Sequence, residues 1–523
     1  MTVRRAGKIL LAALGMASLC AFRFTAPLLS PGHLFLYHLQ GDAVSVVGAV
    51  LFGLLLLWAV FAGYCALALS ARPAAGRILW LLPMSFLPAA SALILGSTLG
   101  WRYRGARLYP PLFGLLALLA LSAVLRRNPT RFNSLIRAAQ TVLAFVGMFG
   151  ILSIVQILFA MNAVRNLNPP PRLADHASLA AGSASGSRVI WILFDELSYE
   201  QVYGHRLADL RLPAFDALAR ESVVFTDARP VGDDTARVVP SLMTGQPVFR
   251  VRSSLEGQLW TQPDEQSRWR RFQPEDTVFE DARRQGLHIG IAGWYNPYCR
   301  MLPGLLDRCF STGREFESQW WNPEVSVSAN SRLVLEHLLS GLDRFPPPQG
   351  QHPYFGLDLR VADYEQLLAA SDSLLRDPSL RFVFLHLPVP HPPGFYNRRT
   401  GEFSATGTYL DNLVLADNTL AHLRDVMAQQ GQWDSSTIVL MGDHSWRIAL
   451  WKGSPGWTSE EEAASGGKSD DRPFYLVKMP DEQTEVEVSA PFSAVRTRAL
   501  FDKLLDRQIT TPDQLKAWSQ EGH

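Results

Sequence analysis

The sequence predicts an α/β protein held at a membrane. It consists of an N-terminal domain of five transmembrane helices and then an α/β/α sandwich on a largely parallel sheet. Three observations carry this expectation. Five apolar runs fill the first third of the chain, each near the roughly 20 residues that cross a bilayer. The rest alternates short, almost wholly apolar runs with amphipathic ones, the pattern of buried parallel strands and the helices that cover them. Two of those strand-like runs end in acids or a histidine, where the ligand edge of such a sheet lies.

The apolar runs are Ile9–Leu29, Ala43–Ala71, Ile78–Leu99, Leu108–Leu125 and Thr141–Val164. The first follows Arg4, Arg5 and Lys8 and could pass for a signal peptide, but four more runs follow directly, so it reads as a retained helix. Positive charge sets orientation. With the N-terminus inside, the inner segments carry Arg4, Arg5, Lys8, Arg72, Arg77, Arg126, Arg127, Arg131 and Arg137. Arg102, Arg104 and Arg107 oppose this as a minority on an outer loop. Five crossings then place everything after about Val164 outside the cytoplasm, on the periplasmic or extracellular side of a bacterial-type inner or plasma membrane. The expected domains are residues 1–165, membrane-embedded; 166–187, a Pro-rich and then Ala/Ser/Gly-rich linker; and 188–523, an α/β domain outside the cytoplasm.

The net charge of +1 gives no ground for a nucleic-acid partner. Cys299 and Cys309 can pair in an oxidising compartment, or remain two buried thiols. A zinc site there is disfavoured, because no second Cys or His pair sits nearby. The Trp320–Trp321 pair reads as packing or as a rest against the membrane interface.

Within the last domain, "RVIWILFDEL" reads as a central strand ending in Asp195 and Glu196. "LPAFDALARES" reads as helix, "VVFTDA" as strand, and "TVFEDARRQGLHIGIAGW" as helix, glycine turn and strand. "RFVFLHL" is a strand, "TYLDNLVLADNTLAHLRDVMAQQG" an amphipathic helix closed by glycine, and "RPFYLVKMP" a further strand. "STIVLMGDH" is a strand ending in Asp443 and His444. Thr235 lies in "GDDTARVVPSLMTG", after the "VVFTDA" strand.

An acid at a strand end is ordinarily a turn residue, and a threonine after a loop is ordinarily a helix cap. Together, two carboxylates, one imidazole and one hydroxyl at one sheet edge make a first shell for a divalent metal, zinc first, with manganese or calcium as alternatives. Pro240 complicates a plain cap at Thr235: either the helix begins near Pro240 or its first turn is distorted, and both place Thr235 in a turn.

These stretches, with "HLPVPHPP", resemble the alkaline phosphatase superfamily on its sulfatase-like branch, in order and spacing, over most of Arg188–Pro480. The resemblance implies Asp195, Asp443 and His444 as metal ligands and Thr235 as ligand and nucleophile, ten positions before Gly245. Glu196 stands where many sulfatases have a second ligating acid, and here is expected in a supporting role. His391 matches a histidine that contacts the transferred group or protonates a leaving oxygen, and its flanking prolines would fix its backbone. His386, Arg237 and Lys452 are further candidates for phosphate or support, Arg237 alternatively pairing with Asp233 or Asp234. Sulfatases carry Cys-x-Pro-x-Arg and a formylglycine; this chain has threonine and lacks that proline and arginine, so the formylglycine route is disfavoured.

Threonine there, behind five membrane spans, resembles the membrane-bound phosphoethanolamine transferases and the phosphoglycerol transferases of lipoteichoic acid synthesis. The expectation is a metal-dependent transferase that moves a phospho-headgroup from a phospholipid donor to an envelope glycan or lipid acceptor through phospho-threonine. The alternatives are a membrane-tethered phosphatase, phosphodiesterase or other sulfatase-like hydrolase, and a non-catalytic envelope assembly protein.

Overall fold

The computed structural model describes residues 3–30, 32, 34–39, 43–98, 109–165, 188–313, 326–332, 335, 357–452, 454, 456–468 and 470–521. The expected linker, Trp320, Trp321 and the outer-loop arginines lie outside them. The described residues divide into two compact units. One draws on Met1–Phe35, Asp42–Leu167 and Trp320–Asp343, the other on Leu36–Gly41, Asn168–Gln319 and Arg344–His523.

The first unit is helical: α1 (Val3–Leu29), the start of a short α2 (Leu34–His38), α3 (Ala43–Ser70), α4 (Pro73–Thr98), α5 (Tyr109–Arg127) and α6 (Pro129–Val164). All but α2 are long and apolar enough to cross a membrane. Pro129 opens α6, where a missing N–H costs nothing, and the Asn128 side chain caps it by accepting from Arg131 N–H. Helices α1 and α6 meet where side chains are absent. A Cβ on Gly147 would lie 2.0 Å from the Leu11 carbonyl oxygen, and one on Gly15 2.1 Å from that of Leu143. Small residues at such a crossing let backbones approach, which is how helices associate where no hydrophobic force drives them together. The α5 helix buries none of its residues within the unit, and its surface is nearly all apolar, as suits a lipid environment.

The second unit is built on an eight-stranded sheet. Its strands are β1 (Val189–Phe194), β2 (Val223–Phe225), β3 (His288–Trp294), β4 (Arg308–Thr312), β5 (Leu380–Leu387), β6 (Thr437–Gly442), β7 (Tyr475–Lys478) and β8 (Val486–Val488). The order is β8-β2-β7-β6-β1-β5-β3-β4. Only β7 runs against its neighbours β6 and β2. The remaining pairings are parallel.

Every residue of β1 is buried, and alternate side chains feed two separate cores. Ile190, Ile192 and Phe194 pack with α7 (Pro213–Ala219), α10 (Leu357–Arg376) and α11 (Tyr409–Gln429). Val189, Trp191 and Leu193 pack with α8 (Thr235–Thr244), α9 (Val278–Arg284) and α12 (Thr497–Leu505). A strand buried on both faces has no use for polar alternation, which is why "VIWILF" is continuous rather than periodic. The result is the expected α/β/α sandwich.

Candidate active site

Strands β1 and β6 are parallel neighbours with Phe194 opposite Gly442, so the residues that follow, Asp195 and Asp443, leave the sheet side by side. On the other flank of β1, Leu193 stands opposite His386 of β5. Thr235 reaches this edge as the first residue of α8, and its hydroxyl lies 3.1 Å from Asp195 Oδ2 and 2.8 Å from Asp443 Oδ2. All three residues are buried, Thr235 at 2% exposure.

Asp234, not Thr235, caps the helix. Its backbone is extended and its side chain accepts from Ala236 N–H at 3.1 Å. The expected turn at Thr235 is therefore corrected: α8 begins at Thr235 and carries Pro240 in its interior. Proline there leaves only the carbonyl one turn earlier without its helical partner. Because Asp234 has the capping role, the Thr235 hydroxyl is left for the carboxylates.

Asp195, Asp443 and His444 offer ligand atoms within 4.8 Å of one another. His444 Nε2 lies 3.3 Å from Asp443 Oδ2 and 3.7 Å from Asp195 Oδ1. His444 Nδ1 faces the Ser445 carbonyl at 3.0 Å. A carbonyl can only accept, so Nδ1 carries the proton and Nε2 turns a lone pair toward the acids. Asp195 Oδ1 and His444 Nε2 are both buried without a hydrogen-bond partner. Orphaned buried acceptors are costly unless a cation completes them, so this donor set fits a divalent metal. The imidazole's second nitrogen is fixed from outside, as metal-ligating histidines require.

The electrostatics fit the same centre. Burial would raise the Asp195 carboxyl, but the imidazoles of His391, His386 and His444 hold it below the usual range. Asp443 is pushed up by burial and by Asp195. Two carboxylates sharing a site separate in this way. His444 is raised, its burial outweighed by Asp443 and Asp195.

Glu196 turns away from the cluster. It adopts a left-handed backbone (φ 70°), and its buried carboxylate accepts from Arg447 N–H at 3.0 Å, Arg447 Nε at 2.7 Å and Trp451 Nε1 at 3.0 Å. Arg447 is a site residue that sequence reasoning missed. Its Nη2 is buried without a hydrogen-bond partner; against the burial, Glu196 first and then Asp195 and Asp443 hold its charge in place. The signal available was its place four residues after Asp443, in "GDHSWR".

His386 is buried, with Nε2 3.6 Å from Asp195 Oδ2 and Nδ1 2.5 Å from the Tyr298 hydroxyl. His391 stands edge-on to Trp294 at 4.9 Å, and burial pushes its imidazole down to about 3. Its carbonyl accepts from Asn412 Nδ2 at 3.2 Å, and the peptide bonds before Pro390 and Pro393 are cis. Arg237 is paired with Asp233, and with Asp234 at 3.7 Å, so its pairing role is the one realised. Lys452 lies over Trp457 at 5.3 Å and 3.6 Å from Glu462. Cys299 and Cys309 are joined in a disulfide.

Acids, an imidazole and a hydroxyl at the carboxyl edge of a parallel sheet between two helical layers define a class of α/β proteins with a metal-fitting site at that edge. Within it, the chain belongs to the Sulfatase family, whose model matches residues 187–488, more than half of the 523. No curated protein matches significantly. Among solved structures, phosphonate monoester hydrolase of Agrobacterium radiobacter is 15% identical with a TM-score of 0.36, over 62% of this chain and 74% of its own. Phosphonate monoester hydrolase of Silicibacter pomeroyi is 14% identical at 0.38, over 61% and 73%. An alkaline phosphatase superfamily protein from Vibrio parahaemolyticus is 13% identical at 0.33, over 66% and 74%. Membership of the family rests on the match over residues 187–488.

Proposed function

We propose that this chain is a membrane-bound, metal-dependent transferase. It takes a phospho-headgroup of the phosphoethanolamine or phosphoglycerol type from a phospholipid onto Thr235 and passes it to an envelope glycan or lipid. The observation that carries this reading is the buried Thr235 hydroxyl, within hydrogen-bond distance of both Asp195 and Asp443. Five helices fit to cross a membrane supply the reason for a lipid donor. Zinc is the first choice of metal for one imidazole and several oxygens, with manganese or calcium as alternatives. The catalytic unit would face the periplasm or cell exterior.

Asp195, Asp443 and His444 would hold the metal, which lowers the pKa of a bound hydroxyl and offsets phosphoryl charge. The two carboxylates orient Thr235 Oγ toward phosphorus. The Oγ–P bond forms as the bond from phosphorus to the lipid alcohol oxygen breaks; Asp443, 2.8 Å from Thr235 Oγ, takes the hydroxyl proton, and the lipid oxygen takes up a proton from solvent. Arg447 places a cation beside the phosphoryl oxygens. In the second half, an acceptor hydroxyl attacks phosphorus and Thr235 Oγ leaves. His391, neutral at working pH, accepts the acceptor's proton.

Intact-mass spectrometry of the full-length protein after incubation with headgroup-labelled phospholipid tests the proposal. A headgroup adduct is expected on Thr235, absent in Thr235→Ala, with label moving to added acceptor. Label that appears only as free phosphate or phosphomonoester points to a hydrolase instead. No adduct and no turnover removes the catalytic reading.

A further inference from the structure

Four residues that precede α3 belong to the catalytic unit. Leu36 to Leu39 are buried, Tyr37 at 1% exposure. Arg300 holds the segment by its carbonyls: Nη1 donates to Leu39 O at 2.9 Å, and Nη2 to Tyr37 O and, at 3.4 Å, to Leu36 O. The His38 ring meets Tyr295 edge-on at 4.6 Å.

From Tyr37 a chain of hydrogen bonds runs to His386, which stands beside Asp195. The Tyr37 hydroxyl donates to Asn296 Oδ1 at 2.9 Å, with the weaker acceptor Met301 Sδ at 2.8 Å. That leaves the Asn296 amide nitrogen to donate to the Tyr298 hydroxyl at 3.3 Å. Having accepted there, Tyr298 gives its own proton to His386 Nδ1 at 2.5 Å. A neutral imidazole that accepts at Nδ1 carries its proton on Nε2. His386 Nε2 then faces Asp195 Oδ2 at 3.6 Å, an ion-pair rather than hydrogen-bond distance, and that oxygen lies 3.1 Å from the Thr235 hydroxyl. Asp195 Oδ1 is thereby turned toward His444 Nε2.

We propose that Tyr37, carried between the first two long apolar helices, is a positioning residue of the metal centre. Through Asn296 and Tyr298 it holds the His386 ring against Asp195, and so the orientation of that carboxylate. The direction of the chain has a consequence. Reversing the Asn296 amide would turn every bond around and put the His386 proton on Nδ1, leaving Nε2 as a lone pair opposite a carboxylate. The Asp195 carboxylate opposite Nε2 disfavours that arrangement, and the Tyr37 hydroxyl holds the amide in place through its contact with Oδ1. His386 therefore acts on a ligand rather than as one. This inference rests on the metal-centred reading above and holds whichever acceptor takes the group.

The test is zinc affinity of the full-length protein in detergent, measured by competition with a chromophoric chelator, alongside the melting temperature of the metal-free protein. Loss of an outer partner to a metal ligand typically weakens binding 10–100-fold. Tyr37→Phe keeps the ring and its packing; it is expected to weaken zinc about 10-fold, and Tyr298→Phe at least as much, beyond the drop in metal-free melting temperature that the unpaired Asn296 brings. Wild-type zinc affinity in Tyr37→Phe overturns the proposal, whatever the melting temperature does. A wild type that holds no zinc and no manganese overturns it together with the metal reading. A wild type that holds zinc but forms no Thr235 adduct, with affinity falling in Tyr37→Phe, upholds this proposal and removes only the transfer reading.

Discussion

At the residue scale, two carboxyl groups outside any chemistry of transfer govern how side chains are spent. Asp234 takes the helix cap and frees Thr235. Asp417, on α11, does the same service at a distance: its Oδ1 and Oδ2 accept from Phe215 N–H at 2.9 Å and Ala214 N–H at 3.3 Å, in the first turn of α7. Leu212, at the cap position of α7, has no side chain for the task. Burial raises the Asp417 carboxyl to about 6. An acid whose folded pKa lies above its unfolded value holds a proton that the unfolded chain has already lost, so its stability contribution falls as pH rises from about 4 to about 6. The total is at most about 3 kcal/mol, from about two pKa units. Thermal melts of wild type across that interval are expected to show this downward slope, and Asp417→Asn to flatten it; equal slopes would remove Asp417 as its source. The candidate site residues were more legible than this one. Asp195, Asp443 and His444 announce themselves because each follows an apolar run that can only be a buried strand. Arg447 and Asp417 gave no such signal, since their partners Glu196 and Phe215 lie some 200 or more residues away in the chain.

At the scale of elements, the strands of the sheet were legible where they are continuous and apolar, and not where they are short edge pieces. β4 and β8 sit at the two ends of the sheet, and Val486–Val488 is too brief to show a period. Helices α10 and α12 were equally hard to read, being covered by polar residues on one side. Among the apolar helices, length and composition set the number of candidate crossings, but the meeting of α1 with α6 depends on single glycines. Gly147→Leu should drive a side chain into the Leu11 carbonyl, at 2.0 Å for its first atom alone. Overpacking of this kind costs about 1–3 kcal/mol or more. Gly63, where an added methyl would meet nothing within 4 Å, is the matched control on α3. Detergent melting curves should show a clear drop for Gly147→Leu and little change for Gly63→Ala; equal melting temperatures would deny the crossing.

At the scale of the whole molecule, the two units are interleaved in sequence, because Leu36–Gly41 groups with residues far downstream. This bears on orientation by parity. One apolar helix separates the N-terminus from Leu36, and five separate it from Val189. Both counts are odd, so if all five helices cross a membrane the two pieces of the α/β unit emerge on one side of it. Impermeant maleimide applied to intact cells should label Ser30→Cys and Glu256→Cys, both exposed, and spare Arg72→Cys. Labelling of Arg72→Cys with Ser30→Cys protected would invert the proposed topology. The same interleaving makes the domain a poor candidate for excision. A soluble fragment begun at Arg188 omits a piece of its own interior. It exposes Asn296 and Met301, strips Arg300 of the carbonyls it grips, and leaves the Asn296 amide free to turn. Biochemistry on such a truncation would be measured on a catalytic site whose outermost brace was never synthesised.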